Sequence, residues 1–578
     1  MPNKKREKKW KVYNKYPSEF ADIFPEFHPI IVQLLYNRGI NSQEMVDEFL
    51  HPDYSQDLHD PFLFRDMEKA VKRIWRAVDL KERVVVYGDY DADGVCSAAL
   101  LMSFFQAVGL TPEIYIPHRE LEGYGLNMAA VDNFIAQGVD LVITVDCGTT
   151  NYEEINKLQS AGIDVIVIDH HHVEKEPDSF AFLNCANPND NYPFAKLAAV
   201  GMVFKTVQGL LQSAWQDKRE IPLRPGQEKW WLDLVAIATV TDMMPLRGEN
   251  HTLVKYGLIV LNKTRRIGLQ SLFAAAGLEL GKVDTWQIGF VIGPRLNAAG
   301  RLDHANTAYA LLMSESKAEA DQHALSLQEA NVQRQSLTDK FVRQAKEMAK
   351  PQVEAGDKLI VVFNPEWELG VVGLVASRLT EEFGRPSLAI TISQGKIKGS
   401  GRSISAFDIM SALEKQSDHL EKFGGHKQAC GFTIASQAEM ENFIQGMKME
   451  ADQITADDLQ PILTIDAEVK LSDIDFNLLS EIDKFAPFGQ GNPQPRFLTR
   501  GLQVIGVDFA GSDNQHIRLM VGDENGIIRK TIGFGLGEKW GDLQMGDRVD
   551  VVYEVSINEW NGNRELQLKI IDIKRNEQ

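Results

Sequence analysis

Between residues 71 and 172, apolar β-branched runs alternate with segments of helical period that close on glycine, and that alternation leaves few folds open. "AVKRIWRAVDL" has a helical period, and "RVVVYGD" reads as a strand. "VCSAALLMSFFQAVG" is a helix closed by Gly109, "TPEIYIPHR" a strand, and "MAAVDNFIAQG" a helix closed by Gly138. "VDLVITVDCG" is a strand, "NYEEINKLQSAG" a helix and "IDVIVIDHHH" another strand. Continuous β-branched runs joined by helices predict a parallel sheet covered on both faces.

Three of these strands run into side chains that bind cations. One ends at Asp89, Asp91 and Asp93, one at Asp146 and Gly148, and one at Asp169, His170 and His171. In an open parallel sheet the carboxyl ends of the strands share an edge, so residues remote in sequence converge there. A single Asp after a strand is commonly a turn or a helix cap. Three acidic or imidazole clusters on one edge need something to offset their repulsion, and a divalent cation does so. Carboxylates with imidazole and no thiolate favour Mn²⁺ or Mg²⁺. So many acids predict two ions, the arrangement used for in-line displacement at phosphorus, and hence phosphoester hydrolysis. Gly88 and Gly94 would let the chain turn sharply around the acids. A helix from about Val95 would aim its positive end at the same place. Asp242, at a helix end before Pro245, is either a further ligand or a cap.

The rest of the chain divides by pattern. A helical stretch runs from about Lys229 to Pro245. Residues from roughly Ala305 to Lys350 read as a connecting helix, with heptads too poor for a coiled coil. A second α/β unit opens at Lys358–Phe363 and closes near Ala451, and from about Pro461 short strands dominate. Their number and spacing suit a small barrel of the oligonucleotide-binding type or a sandwich. The expected division is an N-terminal segment 1–60, a parallel-sheet domain 61–304, a connecting helix 305–350, a second α/β domain 351–457 and a β-domain 458–578. A chain of 578 residues accommodates that many units. Its formal net charge of −20 argues against coating duplex DNA by bulk attraction but leaves room for a local basic groove. The four cysteines are scattered, which fits neither a zinc knuckle nor a disulfide framework and suits a reducing cytoplasm. No apolar run approaches the roughly 20 residues that span a bilayer, so no membrane partner is expected. The basic opening "MPNKKREKKWK" lacks an apolar segment after it and reads as a solvated tail. "GFGLGEKWG" near Gly533 has no βαβ unit behind it and reads as a loop.

"DYDADG", "VDCG" and "DHH", in that order, resemble the DHH phosphoesterases. "PHRELEGYGL", "TDMMPL", "GPRLNAAGRL", "KGSGRS", "FGGHKQACGF" and "FAPFGQGNPQPRF" are similar, within that family, to bacterial single-strand-specific 5′→3′ DNA exonucleases. The resemblance spans most of the chain. It implies a DHH domain, a DHHA1-like second domain that binds the 5′ end, and an OB-type barrel that binds the strand. It implies that Asp93, Asp146, His170 and Asp242 hold the tighter Mn²⁺, and that Asp89 and Asp91, with Asp146 shared, hold a second ion. Asp91, Asp146 and His171 would carry the chemistry, His171 facing the scissile phosphate, while His172, which the motif does not need, reads as structural or as a support behind the ligands. Arg119, Tyr124, Asn297 and Arg301 would contact substrate near the phosphates, and Ser400, Arg402 and His426 would form the 5′-end pocket. Gly399, Gly401, Gly424 and Gly425 would bring backbone N–H groups close to phosphate. Taken as residues alone, "GSGRS" suits a hairpin turn and "GGHKQACG" a tight strand connection, while Gly-rich loops with Arg, Ser and His suit an anion site. In the barrel, Arg496, Arg500, Arg518, Arg529 and Lys530 are candidates for the strand. Expected partners are single-stranded DNA, a single-strand-binding protein and a helicase, around a monomer acting in DNA repair and recombination. Some chains of this kind carry a further domain after the barrel; this one reaches Gln578 just past its last strand run, and contacts made by such a domain are not expected. The alternatives are a DHH-type oligonucleotide or nucleotide phosphatase, disfavoured by the added β-domain, and a metal-free replication scaffold, disfavoured by the intact acids.

Overall fold

The computed structural model describes residues 7–560 and 562–576. It contains two compact units, one formed by the chain up to Asp53 together with Gln460 onward, the other by Tyr54–Leu459.

The larger unit opens with a five-stranded, all-parallel sheet in the order Glu113–Tyr115, Val84–Gly88, Leu141–Val145, Asp164–Asp169, Ala181–Asn184. The two strands Val84–Gly88 and Leu141–Val145 are buried at every position, as their uninterrupted β-branched runs predict. The two-residue period sorts their side chains. Val84, Val86, Ile143 and Val145 enter one core with Leu100, Phe104, Phe204 and Ile237, which come from helices Ala92–Ala107, Ala199–Gln216 and Leu232–Thr241. Val85, Tyr87 and Val142 enter the opposite core with Val131, Phe134, Ile155 and Leu158, from helices Met128–Gln137 and Tyr152–Ser160. Helix Ala92–Ala107 begins before Val95 because the Asp91 carboxylate caps it, accepting from the N–H groups of Asp93 at 2.9 Å and Gly94 at 3.2 Å. The helix expected to run to Pro245 stops at Thr241, leaving Asp242 at its end.

The connecting helix is in two pieces, Asn306–Met313 and Lys317–Glu354. The Ser316 hydroxyl takes the Glu319 N–H at 3.3 Å and starts the second piece, which the helical period alone did not reveal. The sheet that follows is mixed, in the order Leu420–His426, Ala429–Ile434, Lys396–Arg402, Ser387–Ser393, Ile360–Phe363, with only the last two strands parallel. The expectation of Gly-rich loops is corrected here: "KGSGR" and "FGGH" are strands. Gly399 and Gly401 serve packing, since a Cβ on the first would run into the Phe432 ring and on the second would lie 2.6 Å from Cys430 Sγ.

In the smaller unit five strands of a six-stranded sheet close into a ring where Phe497–Ala510 pairs with both His516–Gly522 and Arg548–Trp560. That closure decides for a barrel over a sandwich. Part of the basic N-terminus is not a tail: Lys9–Val12 pairs in parallel with Ile462–Ile465, and Trp10 Nε1 donates to Asp572 at 2.9 Å. Residues 1–6 of the expected tail lie outside the described residues. Ile31, Leu34 and Phe49 share one core with barrel residues Val504, Leu519 and Val551, so the N-terminal helices belong to the barrel. Arg38 Nε donates to Asn492 Oδ1 at 2.9 Å, and Asn492 Nδ2 donates to the Phe485 carbonyl at 2.8 Å. Part of "FAPFGQGNPQPRF" is thereby an internal anchor.

Candidate metal centre

The carboxyl edge of the parallel sheet gathers the side chains that the strand ends predicted. His170 Nε2 lies 3.3 Å from Asp146 Oδ1, 3.7 Å from Asp242 Oδ2 and 3.9 Å from Asp93 Oδ2. Oxygens of Asp89, Asp91 and Asp146 form an adjoining group, all within 4.8 Å of one another. Asp146 therefore belongs to both groups. It sits at φ +64°, a left-handed conformation that costs a non-glycine residue strain and recurs at functional sites. Gly148 follows at φ +114°, where a Cβ would lie 2.6 Å from Thr144 Oγ1.

The donor set fits divalent cations. Asp89 Oδ1 and Asp146 Oδ1 are buried and have no hydrogen-bond partner among the described residues. Burial, then the Asp91 charge, pushes the Asp93 carboxyl up to about 7. Burial, then Asp93, pushes Asp242 up to about 9. Asp89 and Asp146 are driven well above the usual carboxylate range by burial first and neighbouring aspartates second. Four acids crowded into a dry edge hold their charge readily only with a cation between them. Asp93 is fixed from far along the chain: it accepts from the N–H groups of Ala199 at 2.7 Å and Val200 at 2.9 Å, capping the helix that starts there.

The two imidazoles differ. Burial, then the charge of His171, lowers His170 to about 4, leaving it neutral as a ligand must be. Burial opposes protonation of His171, but the Asp169 carboxylate outweighs it and raises the imidazole to about 9. His171 Nδ1 lies 2.7 Å from Asp169 Oδ1, whose carboxylate also accepts from Thr149 Oγ1 at 2.6 Å and His170 N at 2.7 Å. Although burial would raise Asp169, these partners hold it well below its usual range. Asp169 thus orients His171, a role its place in the strand-end run did not distinguish from ligation. His172 is exposed.

The expected substrate residues surround this edge. The Tyr124 hydroxyl lies 3.2 Å from both the Asp146 carbonyl and His171 Nδ1. Asn297 Oδ1 accepts from Ala92 N at 2.8 Å, which ties it to the helix start beside Asp91. The Arg119 guanidinium lies over the Tyr90 ring at 5.0 Å. Arg301 Nη1 donates to the Gly370 carbonyl at 3.2 Å, and Arg402 Nη1 to the Gly401 carbonyl at 2.8 Å. Burial, then the charges of Arg119, Arg334 and Arg402, lowers Arg301 to about 9, a sign that these guanidinium groups crowd one another. Arg334 comes from the polar helix Lys317–Glu354, and nothing in that helix's composition singles it out. Ser400 and Arg402 both face helix Leu369–Phe383 at Gly373. Burial, then the charges of His171 and His172, lowers His426. The barrel candidates are already engaged. Arg496 pairs with Glu554 at 3.5 Å, Arg500 with Glu468 and Asp550 at 3.0 Å each, Arg518 with Asp508 at 3.9 Å and Lys530 with Glu565 at 2.9 Å. Arg529 Nη2 donates to the Ile474 carbonyl at 2.9 Å.

Sequence models of three families match this chain: the DHH family N-terminal domain over residues 83–239, the DHHA1 domain over 356–452 and the RecJ OB domain over 465–572. The chain is 34% identical to the single-stranded-DNA-specific exonuclease RecJ of Bacillus subtilis, covering 98% of this chain and 70% of that protein. It is 30% identical to RecJ of Escherichia coli, over 96% of this chain and 97% of that one. The crystal structure of RecJ in complex with Mn²⁺ from Thermus thermophilus superposes with a TM-score of 0.83 at 28% identity, covering 99% of this chain and 80% of that one. The corresponding complex with Mg²⁺ gives 0.77 at 26% identity, covering 99% and 79%. With its three domains matched in order and an acidic double site at the expected sheet edge, this chain belongs to the RecJ family.

Proposed function

We propose that this chain is a single-stranded-DNA-specific 5′→3′ exonuclease that hydrolyses phosphodiester bonds and releases 5′-mononucleotides in DNA repair and recombination. The observation that carries the reading is the pair of ligand groups joined at Asp146, with the Arg119, Arg301 and Arg402 guanidinium groups nearby. Asp93, Asp146, His170 and Asp242 would hold one Mn²⁺ or Mg²⁺, and Asp89, Asp91 and Asp146 the other; when bound, the ions supply Lewis acidity toward a phosphoryl oxygen and acidify water.

The chain's own residues do the rest. His171, held by Asp169 and protonated near neutral pH, presents its free ring nitrogen to the scissile phosphate as a proton and charge donor. The Tyr124 hydroxyl meets the same Nδ1 at 3.2 Å and helps Asp169 fix the ring. The guanidinium groups, crowded without an anion, are relieved when a phosphate lies among them. Ser400, Arg402 and His426 bind the 5′ end, and that sets the polarity of digestion. The barrel, matched by the RecJ OB model, holds the strand downstream, which supports a long substrate over a dinucleotide. The wider assignment is a cytoplasmic monomer that meets a single-strand-binding protein and a helicase. No helix among the described residues is long and apolar enough to cross a membrane.

Asp146→Ala tests the reading. Mn²⁺-dependent release of mononucleotides from 5′-phosphorylated single strands is expected to fall by at least about 10²-fold, on the order of the loss of one preorganised electrostatic group. Digestion near the wild-type rate would remove the shared ligand from the mechanism. Faster turnover of dinucleotides than of long strands would favour the phosphatase instead.

A further inference from the structure

We propose that Trp286 and Phe290 form a stacking platform for unpaired bases of the DNA strand at the metal centre. This rests on the nuclease reading above and adds a base-contacting surface to it. The two rings are stacked on one another, with centroids 5.4 Å apart and planes inclined by 27°. They are 58% and 68% exposed, whereas the large aromatic side chains Phe104, Phe105, Phe134, Phe182 and Phe204 of the same lobe are fully buried.

Their place in the helix is what points to DNA. Thr285–Gln287, the π-turn Ile288–Ile292 and Gly293–Leu302 form one continuous helical run. Positions 286, 290, 294, 297 and 301 recur at intervals of three or four, so the rings lie on the stripe that carries Asn297 and Arg301. At about 1.5 Å per residue, Phe290 lies roughly 10 Å along the axis from Asn297 and roughly 16 Å from Arg301. That distance spans about three to five nucleotides at the ~3.4 Å rise of a stacked strand. The π-turn keeps Ile288 and Ile292 buried and leaves Trp286 and Phe290 outside. Such turns recur at functional sites.

The inner face of the run is joined to the metal edge. A Cβ on Gly293 would lie 2.6 Å from Thr241 Oγ1, and Thr241 precedes Asp242. Met243, next in line, is 66% exposed at φ +58°. The platform is therefore rigidly attached to a ligand-bearing helix end rather than carried on a loop. Its flanks are polar, with Asp284, Gln287 and Arg295, and Arg295 is anchored to the Val291 carbonyl at 2.7 Å and to Gln328 at 2.8 Å. Two offset π faces among polar neighbours suit bases, which all present such a face whatever their sequence, better than they suit an extended apolar partner.

The test uses the full chain and a fluorescent 5′-phosphorylated oligodeoxythymidine. Binding is read by anisotropy in EDTA, where no cleavage occurs. W286A/F290A is expected to raise Kd at least tenfold, and W286F/F290Y to restore it. In the wild type, removing the base at one or two positions about three to five nucleotides from the 5′ end is expected to cost as much as the double substitution. In W286A/F290A the same missing bases are expected to cost nothing further. An unchanged Kd, or protein and base losses that simply add, would overturn the platform. A change in sedimentation with DNA affinity intact would do so too, by giving the rings to a contact between chains. Cleavage of the same oligonucleotides with Mn²⁺ is measured separately. A wild type that binds but does not cut would count against the nuclease reading and leave the Kd ratios to decide the platform.

Discussion

Asp242→Asn in the metal-free protein is the most direct probe of the acidic edge. The Asp242 carboxyl sits at about 9, against an ordinary 3.8, because burial and then the Asp93 charge oppose its ionisation. Between those values the folded chain keeps a proton that the unfolded chain has released. Stability therefore falls as pH rises, by about 1.4 kcal/mol per pH unit for one full proton, until the group ionises. From pH 7 to 9, with ionisation setting in near the top of that window, the fall is about 2 kcal/mol. The larger unit, Tyr54–Leu459, has an unfolding entropy of roughly 0.8 kcal/mol/K at about 2.1 cal/mol/K per residue, so its Tm should drop by about 3 °C from this group. His171, raised to about 9 by Asp169 and, to a lesser degree, by Asp242, adds a loss of the same sign that remains in D242N through Asp169. Thermal scans in EDTA at pH 7 and pH 9 should therefore show a smaller drop for D242N than for the wild type. Mn²⁺ at about a hundredfold excess over its Kd should raise the wild-type Tm by about 3 °C, from about 2.7 kcal/mol of linkage, and should remove the Asp242 part of the drop. If wild type and D242N lose Tm in parallel in EDTA, Asp242 is not desolvated among like charges and the electrostatic account of the site fails.

Further outcomes follow from the same geometry. Arg402→Ala should weaken engagement of 5′-phosphorylated single strands about tenfold or more, the range of a charge-assisted hydrogen bond, with little effect on 5′-hydroxyl strands; equal losses on both ends would exclude a 5′-phosphate pocket. Asp169→Asn removes the charge that raises His171, so the imidazole should be neutral at about pH 7.5 by NMR and kcat should fall at least about tenfold with a smaller change in KM; a ring still protonated at pH 8 would contradict this. Gly370→Ala drives a Cβ into the Arg301 carbonyl, so Tm should fall by about 1–4 °C, from about 1–3 kcal/mol of overpacking, and KM for single strands should rise; an unchanged enzyme would mean the helix at Gly370 does not position Arg301.

Several features were legible because they are local. A strand buried on both faces needs an unbroken β-branched run, and Val84–Gly88 and Leu141–Val145 have one. Parallel strands present their carboxyl ends together, so the sequence alone brings Asp89, Asp91, Asp93, Asp146 and His170 to one edge. Other features were hidden because distant chain supplies them. Asp93 is held by the N–H groups of Ala199 and Val200, over a hundred residues on. Arg334 reaches the guanidinium cluster from a helix whose period says nothing about its contacts. The strands at Gly399 and Gly425 read as loops because glycine is a turn signal, and only the Phe432 ring and the Ala429–Cys430 backbone packed against them explain why strand positions lack side chains.

By itself, then, the sequence determined the element types, the parallel sheet, the acidic edge and its preference for hard divalent cations, since these depend on side-chain chemistry and on periods of two and 3.6 residues. Only the tertiary structure decided that Asp169 meets His171 Nδ1, that the N-terminal helices join the barrel core, and that Arg496, Arg500, Arg518, Arg529 and Lys530 are matched to carboxylates or carbonyls. Those outcomes depend on which buried groups find partners across the fold, and desolvation makes that choice only once the distant segments have met.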